Sequence, residues 1–141
     1  MIKRNMKKIL LILSFALFST SFLAGQATTD KRENRKNLVV KEWNTAAGSK
    51  TRYLDHQTTY NANGKKVEEI EYANYGQKSR VTYEYDDDGH CIKQVVYDSR
   101  NKPVRIRKFE YNADGSKKKQ YNYLPSGKLE STKVFEYILP K

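Results

Sequence analysis

The 141-residue chain has one cysteine, two histidines and one tryptophan, and after its first 27 residues it has no long apolar run. With Cys91 alone, no internal disulfide can staple the fold, and its surroundings show no histidine-paired or metal-ligand spacing that would make it a reactive thiol. His56 and His90 lack an i+3 or i+4 ligand partner, which excludes a zinc-binding helix and leaves both as surface strand residues. The "DDDG" of residues 86–89 lacks the alternating twelve-residue ligand pattern and closing glutamate of a calcium loop, so it reads as a solvated turn. No amphipathic helical period is present to cover a sheet.

The one apolar stretch lies at the start. Residues 1–27, "MIKRNMKKILLILSFALFSTSFLAGQA", combine a basic beginning, an apolar centre and a small-residue end, the pattern of a secretory signal peptide. Ser14, Ser19, Thr20 and Ser21 interrupt a run already short for a membrane span. Cleavage after Ala27 is expected to leave Thr28 first, with no cysteine there for lipid attachment. The chain carries 27 Lys and Arg against 16 Asp and Glu, and loss of Lys3, Arg4, Lys7 and Lys8 leaves 23 against 16, a net +7. The expectation is an exported cationic protein of the periplasm, outer membrane surface or medium, with no membrane span after cleavage.

Aliphatic residues are also scarce, whereas all eleven tyrosines fall after residue 27. Their spacing is regular. "YNANG" begins at Tyr60, "YANYG" at Tyr72, "YDDDG" at Tyr85, "YDSRN" at Tyr97, "YNADG" at Tyr111 and "YLPSG" at Tyr123. Taken in pairs these make a repeat of 25 or 26 residues, the signature of stacked supersecondary units. Asn or Asp after the tyrosine bonds to nearby backbone, and the closing Gly accepts positive φ; Asn101 replaces it once, as the next most tolerant residue. Each unit is a hairpin turn. The segments between, such as "KKVEEIEY" and "KPVRIRKFEY", are rich in β-branched and aromatic residues and too short for helices.

The expected fold is all-β: an antiparallel meander of about seven or eight strands in a single twisted or curled sheet. Residues 28–37 read as a flexible charged leader and residues 38–141 as the β-repeat domain, with a first strand at Leu38–Trp43 and a looser turn at Gly48. Counting back from the turn at residues 112–115 sets Lys108 opposite Lys119 and Ile106 opposite Tyr121. Val104 and Ile106 share a face while Phe109 falls on the other, which calls for strong twist or a bulge.

The units resemble the tyrosine-aspartate repeats of Rhs and teneurin-type proteins, whose core is Y-D-x-x-G followed by a strand. "YDDDG" at Tyr85 matches fully, and the likeness spans residues 60–137. Together with the signal peptide, the chain is also similar to short exported Bacteroidales proteins of unknown function. The resemblance implies strand-turn units and a compartment, but no activity.

Glu84, Glu110 and Glu136 recur at one repeat position, about 10 Å apart on alternate strands. That separation would suit inverting glycoside cleavage, but repetition argues for structural partners of lysines, so no catalytic residue, metal or cofactor is expected. The expected activity is binding through the surface. Arg105, Arg107, Lys108, Lys117, Lys118 and Lys119 form a candidate basic face for an anionic glycan or lipid head group. Tyr83, Tyr121 and Tyr123 offer the alternative of a neutral sugar platform, and an envelope adaptor or a homo-oligomer joined through the sheet is the other alternative. Nucleic acid is not an expected partner outside the cell.

Overall fold

The computed structural model describes residues 31–140; the expected signal peptide, its cleavage point and the first leader residues lie outside them. Eight strands form one sheet in chain order: β1 Val39–Thr45, β2 Arg52–Tyr60, β3 Lys66–Ala73, β4 Gly76–Tyr85, β5 Cys91–Tyr97, β6 Pro103–Tyr111, β7 Lys117–Tyr123 and β8 Leu129–Val134. Every neighbouring pair is antiparallel, and β1 does not meet β8. The meander is open. Among the described residues no helix is long and apolar enough to cross a membrane.

The turns follow the tyrosine-glycine spacing. Gly64, Gly76, Gly89, Gly115 and Gly127 all have positive φ, and Asn101 takes φ 60° where glycine is missing. In the turn after Tyr111, the Gly115 N–H donates to the Asn112 carbonyl at 3.0 Å and the Asn112 N–H to the Ser116 carbonyl at 2.8 Å. The same two bonds recur in the turns after Tyr60, Tyr85, Tyr97 and Tyr123. The second turn is tighter, with Ala73 pairing directly with Gly76.

A further bulge stands at each repeat tyrosine. Register shifts fall between Thr59 and Tyr60, Glu71 and Tyr72, Glu84 and Tyr85, Val96 and Tyr97, Glu110 and Tyr111, and Asn122 and Tyr123. This extra residue, together with the pairing of Tyr111 with Lys117 in place of Ser116, corrects the register expected for β6 and β7. Lys108 faces Tyr121, Lys119 faces Glu110, and Ile106 faces Tyr123. The slip is two residues, so each side chain keeps its face and changes its partner. The expected clash of Lys108 with Lys119 does not occur.

The tyrosines themselves tie successive repeats together. The Tyr85 hydroxyl donates to the Lys66 carbonyl at 2.7 Å, Tyr111 to Cys91 at 2.8 Å, and Tyr137 to Lys117 at 2.8 Å. In each case the acceptor is the second residue after a turn glycine. The residue immediately after that glycine then covers the ring: Lys65 lies 5.5 Å from the Tyr85 centroid, and His90 stacks on Tyr111 at 4.6 Å. Lys65 also donates to the Gly89 carbonyl at 2.7 Å, so the turns at one end of the sheet form a column.

The sheet has a single layer, so burial comes from neighbours on the same face. Phe109 and Thr58, each 7% exposed, are the buried large apolar and polar side chains of the described residues. Both belong to the face that carries Val81, Tyr83 and Arg107, opposite Ile106, as the change of phase along β6 requires. A helical turn precedes β1, and the Asn37 N–H donates to the Asn61 carbonyl at 3.0 Å, so this part of the expected leader packs on the first hairpin.

Candidate functional site

Cross-strand pairing aligns Glu84, Lys93, Lys108, Tyr121 and Thr132 in one row across β4 to β8. A parallel row on the same face holds Thr82, Val95, Ile106 and Tyr123. Along the first row lies a shallow groove of about 460 Å³, lined by Glu84, Ile92, Lys93, Lys108, Phe109, Glu110, Tyr121 and Tyr123. Polar groups and aromatic rings alternate along it. Such a lining can hydrogen-bond hydroxyls or an anion while a ring face takes apolar C–H surface.

The two groove lysines face each other across β5 and β6, a like-charge contact at a place the sequence count did not indicate. Lys93 is compensated by Glu84, whose carboxylate lies 2.7 Å from its ammonium. Lys108 instead stands 5.4 Å from the Tyr123 ring centroid, and among the described residues it forms no ion pair. Glu110 accepts a hydrogen bond from the Tyr121 hydroxyl at 2.9 Å, which pushes the tyrosine pKa up because the carboxylate stabilises the protonated phenol. The Tyr121 and Tyr123 rings are 6.5 Å apart and tilted. They leave Lys108 as the cation without a partner beside an aromatic pair.

The six candidate basic residues do not share this face. Lys108 and Lys119 are on it, but Arg105 and Arg107 pair with Val96 and Gln94 on the opposite face, and Lys118 alternates with Lys119 onto that side. Lys117 lies at the bulge, its ammonium 4.7 Å from the Phe109 centroid. The basic cluster is therefore divided by the sheet. Tyr83 is separated from Tyr121 and Tyr123 in the same way: it is on the Phe109 face, half-buried, and donates to Glu69. Burial and that carboxylate both push its pKa up.

The groove glutamates were legible only as repeat partners of lysine, and Glu84 fills that role through Lys93. Glu110 holds Tyr121, while Glu136 follows β8 outside the sheet. On the opposite face, Glu69 is subject to burial, which alone would raise its pKa, but Lys66 and Tyr83 hold it below the ordinary value. The carboxylates of Asp86 and Asp88 and the His90 ring approach within 4.8 Å of one another. His90 thus does have a carboxylate at a spacing of four, Asp86, though in a turn and not on a helix; Asp86 also accepts from the His90 backbone N–H at 2.7 Å, as a turn aspartate does.

No protein-family model matches the chain, and no curated protein does. Among solved structures it is similar to a mutant of TarM from Staphylococcus aureus in complex with fondaparinux, alpha-GlcNAc-glycerol and UDP. The identity is 16%, covering 79% of this chain and 24% of that one, with a TM-score of 0.30. A protein with unknown function from Bacteroides fragilis NCTC 9343 is 13% identical over 72% of this chain and 95% of its own, with a TM-score of 0.25. The chain thus spans about a quarter of TarM's length. Likenesses at these scores carry no functional argument.

Proposed function

We propose that this is an exported, non-enzymatic binding protein whose groove between β4 and β7 takes an acidic sugar unit of a glycan. The observation that carries the reading is Lys108: an ammonium beside the Tyr121 and Tyr123 rings with no carboxylate partner among the described residues. A uronate carboxylate or sulfate on Lys108 would relieve its contact with Lys93, and a pyranose face would lie against a tyrosine ring. Glu84 and Glu110 already hold Lys93 and Tyr121, so they serve as scaffold and as acceptors for sugar hydroxyls. The resemblance to exported tyrosine-repeat proteins supports the compartment in which such glycans occur.

Calorimetric titration with oligogalacturonate and with a neutral glucan tests this. Binding of the uronide should weaken as salt rises past about 0.15 M, where screening shortens to roughly 8 Å. Lys108→Gln should weaken it by about tenfold, the equivalent of about 1.4 kcal/mol, and Arg105→Gln on the opposite face by much less. Equal losses from both would mean that net charge alone attracts the ligand. Glucan binding as tight as uronide and insensitive to salt would replace the acidic sugar by a neutral one.

A further inference from the structure

The turns after Tyr60, Tyr85 and Tyr111 share one end of the sheet, and each later turn is covered by a side chain of the turn before it. Lys65, from the first, lies over the second: a methyl built on Gly89 would stand 2.7 Å from its ammonium, which also lies over the Tyr85 ring. His90, from the second, lies over the third in the same way, 3.2 Å from a methyl on Gly115 and stacked on Tyr111. Among the described residues no turn precedes the first at this end.

Residues 31–38 stand in that place. A methyl on Gly64 would collide with the Arg32 carbonyl, and Gly64 alone of the turn glycines is buried. The Arg35 guanidinium lies 5.4 Å from the Tyr60 ring centroid. The glycine and the tyrosine of the first turn are therefore both covered, as in the two later turns.

The segment is shaped locally and tied down at its end. The Arg35 N–H returns to the Arg32 carbonyl at 3.0 Å and Lys36 pairs with Glu33 at 2.8 Å. Asn37 then ends the helical turn at φ 54°, a left-handed conformation that asparagine tolerates. Two backbone bonds hold it to the first hairpin: the Asn37 N–H donates to the Asn61 carbonyl at 3.0 Å, and the Tyr60 N–H to the Leu38 carbonyl at 2.9 Å.

We propose that residues 31–38 are the N-terminal capping unit of the repeat array, a strap that takes the place of a preceding turn and closes the column at its first member. A terminal unit needs a polar outer face where an internal one has a neighbour. Lys31, Arg32, Glu33, Arg35 and Lys36 supply it, and all are exposed. With so few contacts the strap opens on its own, without unfolding the sheet, and its opening bares Tyr60 and Gly64. A trypsin-like protease that cuts the open strap converts a closed end into an open one. This rests on the leader contacts and is independent of the groove reading.

Limited trypsin digestion of the full protein, read by mass spectrometry at Arg32, Arg35 and Lys36, tests this. Cleavage there should be about thirtyfold slower than in a synthetic peptide of residues 28–41, the protection that two backbone hydrogen bonds give. Gly64→Ala should restore most of the peptide rate, because the methyl displaces the Arg32 carbonyl. Gly127→Ala, with the same positive φ and nothing within 4 Å, should leave it unchanged. Arg35→Gln, read at Arg32 and Lys36, should raise the rate by about threefold. Cleavage at the peptide rate in the unaltered protein would overturn the proposal, as would equal effects from the two alanines. If Gly64→Ala loses its sheet circular dichroism, hydrogen exchange of the Asn37 amide in the unaltered protein decides the matter: protection supports the strap, and exchange at the rate of an unstructured amide overturns it.

Discussion

Replacing Phe109 with alanine measures how a sheet without a second layer holds itself together. The ring is 7% exposed, a degree of burial that in a two-layer core gives a loss of about 3 to 5 kcal/mol. Part of that loss comes from the void the ring leaves behind. Here the cover consists of same-face neighbours and the Lys117 chain, 4.7 Å from the ring centroid, so the space opens to water and the cavity contribution falls away. What remains is the transfer of one aromatic side chain, about 2 kcal/mol, plus about 0.5 kcal/mol from the lysine above it. Urea unfolding followed by circular dichroism should therefore show the midpoint falling by about 1 M with the slope unchanged. Lys117→Met, which keeps the cover and removes the charge, should lose only the smaller part. A loss above about 4 kcal/mol for Phe109→Ala would mean that a second layer covers the ring, and one below about 0.5 kcal/mol would mean that the ring is not buried.

Two further outcomes follow from the turns and the tyrosines. Gly115→Ala and Gly127→Ala both force a side chain into positive φ, costing about 1 to 2 kcal/mol. Only at Gly115 would the new methyl meet another residue, the His90 ring nitrogen at 3.2 Å, so thermal melts should show the larger fall there. For Tyr85, burial and the nearby Cys91 push the phenol up to about 12 from an ordinary 10.0. Because the folded state holds this proton more tightly than the unfolded one, the stability it supplies is complete below pH 10 and is lost as pH rises toward 12. Absorbance at 295 nm should show Tyr83 and Tyr85 as late-titrating phenols, and Tyr85→Phe should remove one of the two; a titration complete by pH 11 would refute this.

The turns were legible because their chemistry is local. Tyr111 to Gly115 specifies a reversal through a left-handed residue, and even the substitution of Asn101 for glycine falls within the same rule. Strand order followed from the short connections. Partnering was less legible: the turn pairs Tyr111 with Lys117 in place of Ser116, and the second bulge, between Glu110 and Tyr111, adds one more residue that no breaker or glycine announces. Hence Lys108 lies against Tyr121 rather than Lys119, and a like-charge contact occurs instead with Lys93, on the strand before. The basic run from Lys117 to Lys119 likewise looked like one patch because sequence proximity conceals alternation between faces. Conversely, the change of phase between Ile106 and Phe109 was readable, since period-two patterning survives a slip of two residues.

The interval between Tyr85 and Tyr111 has a consequence for how such a gene can change. Tyr85, Tyr111 and Tyr137 each reach back only as far as the preceding turn at the same end of the sheet, as Tyr111 reaches Cys91 and Tyr137 reaches Lys117, and strands touch only their sequence neighbours. Excision of residues 86–111 would join Tyr85 to Asn112, restoring a tyrosine followed by an Asn-Ala-Asp-Gly turn and leaving six strands in the same order. With no central core to repack, unequal recombination can shorten or lengthen the chain by whole units, and the width of the surface becomes heritable in steps of two strands.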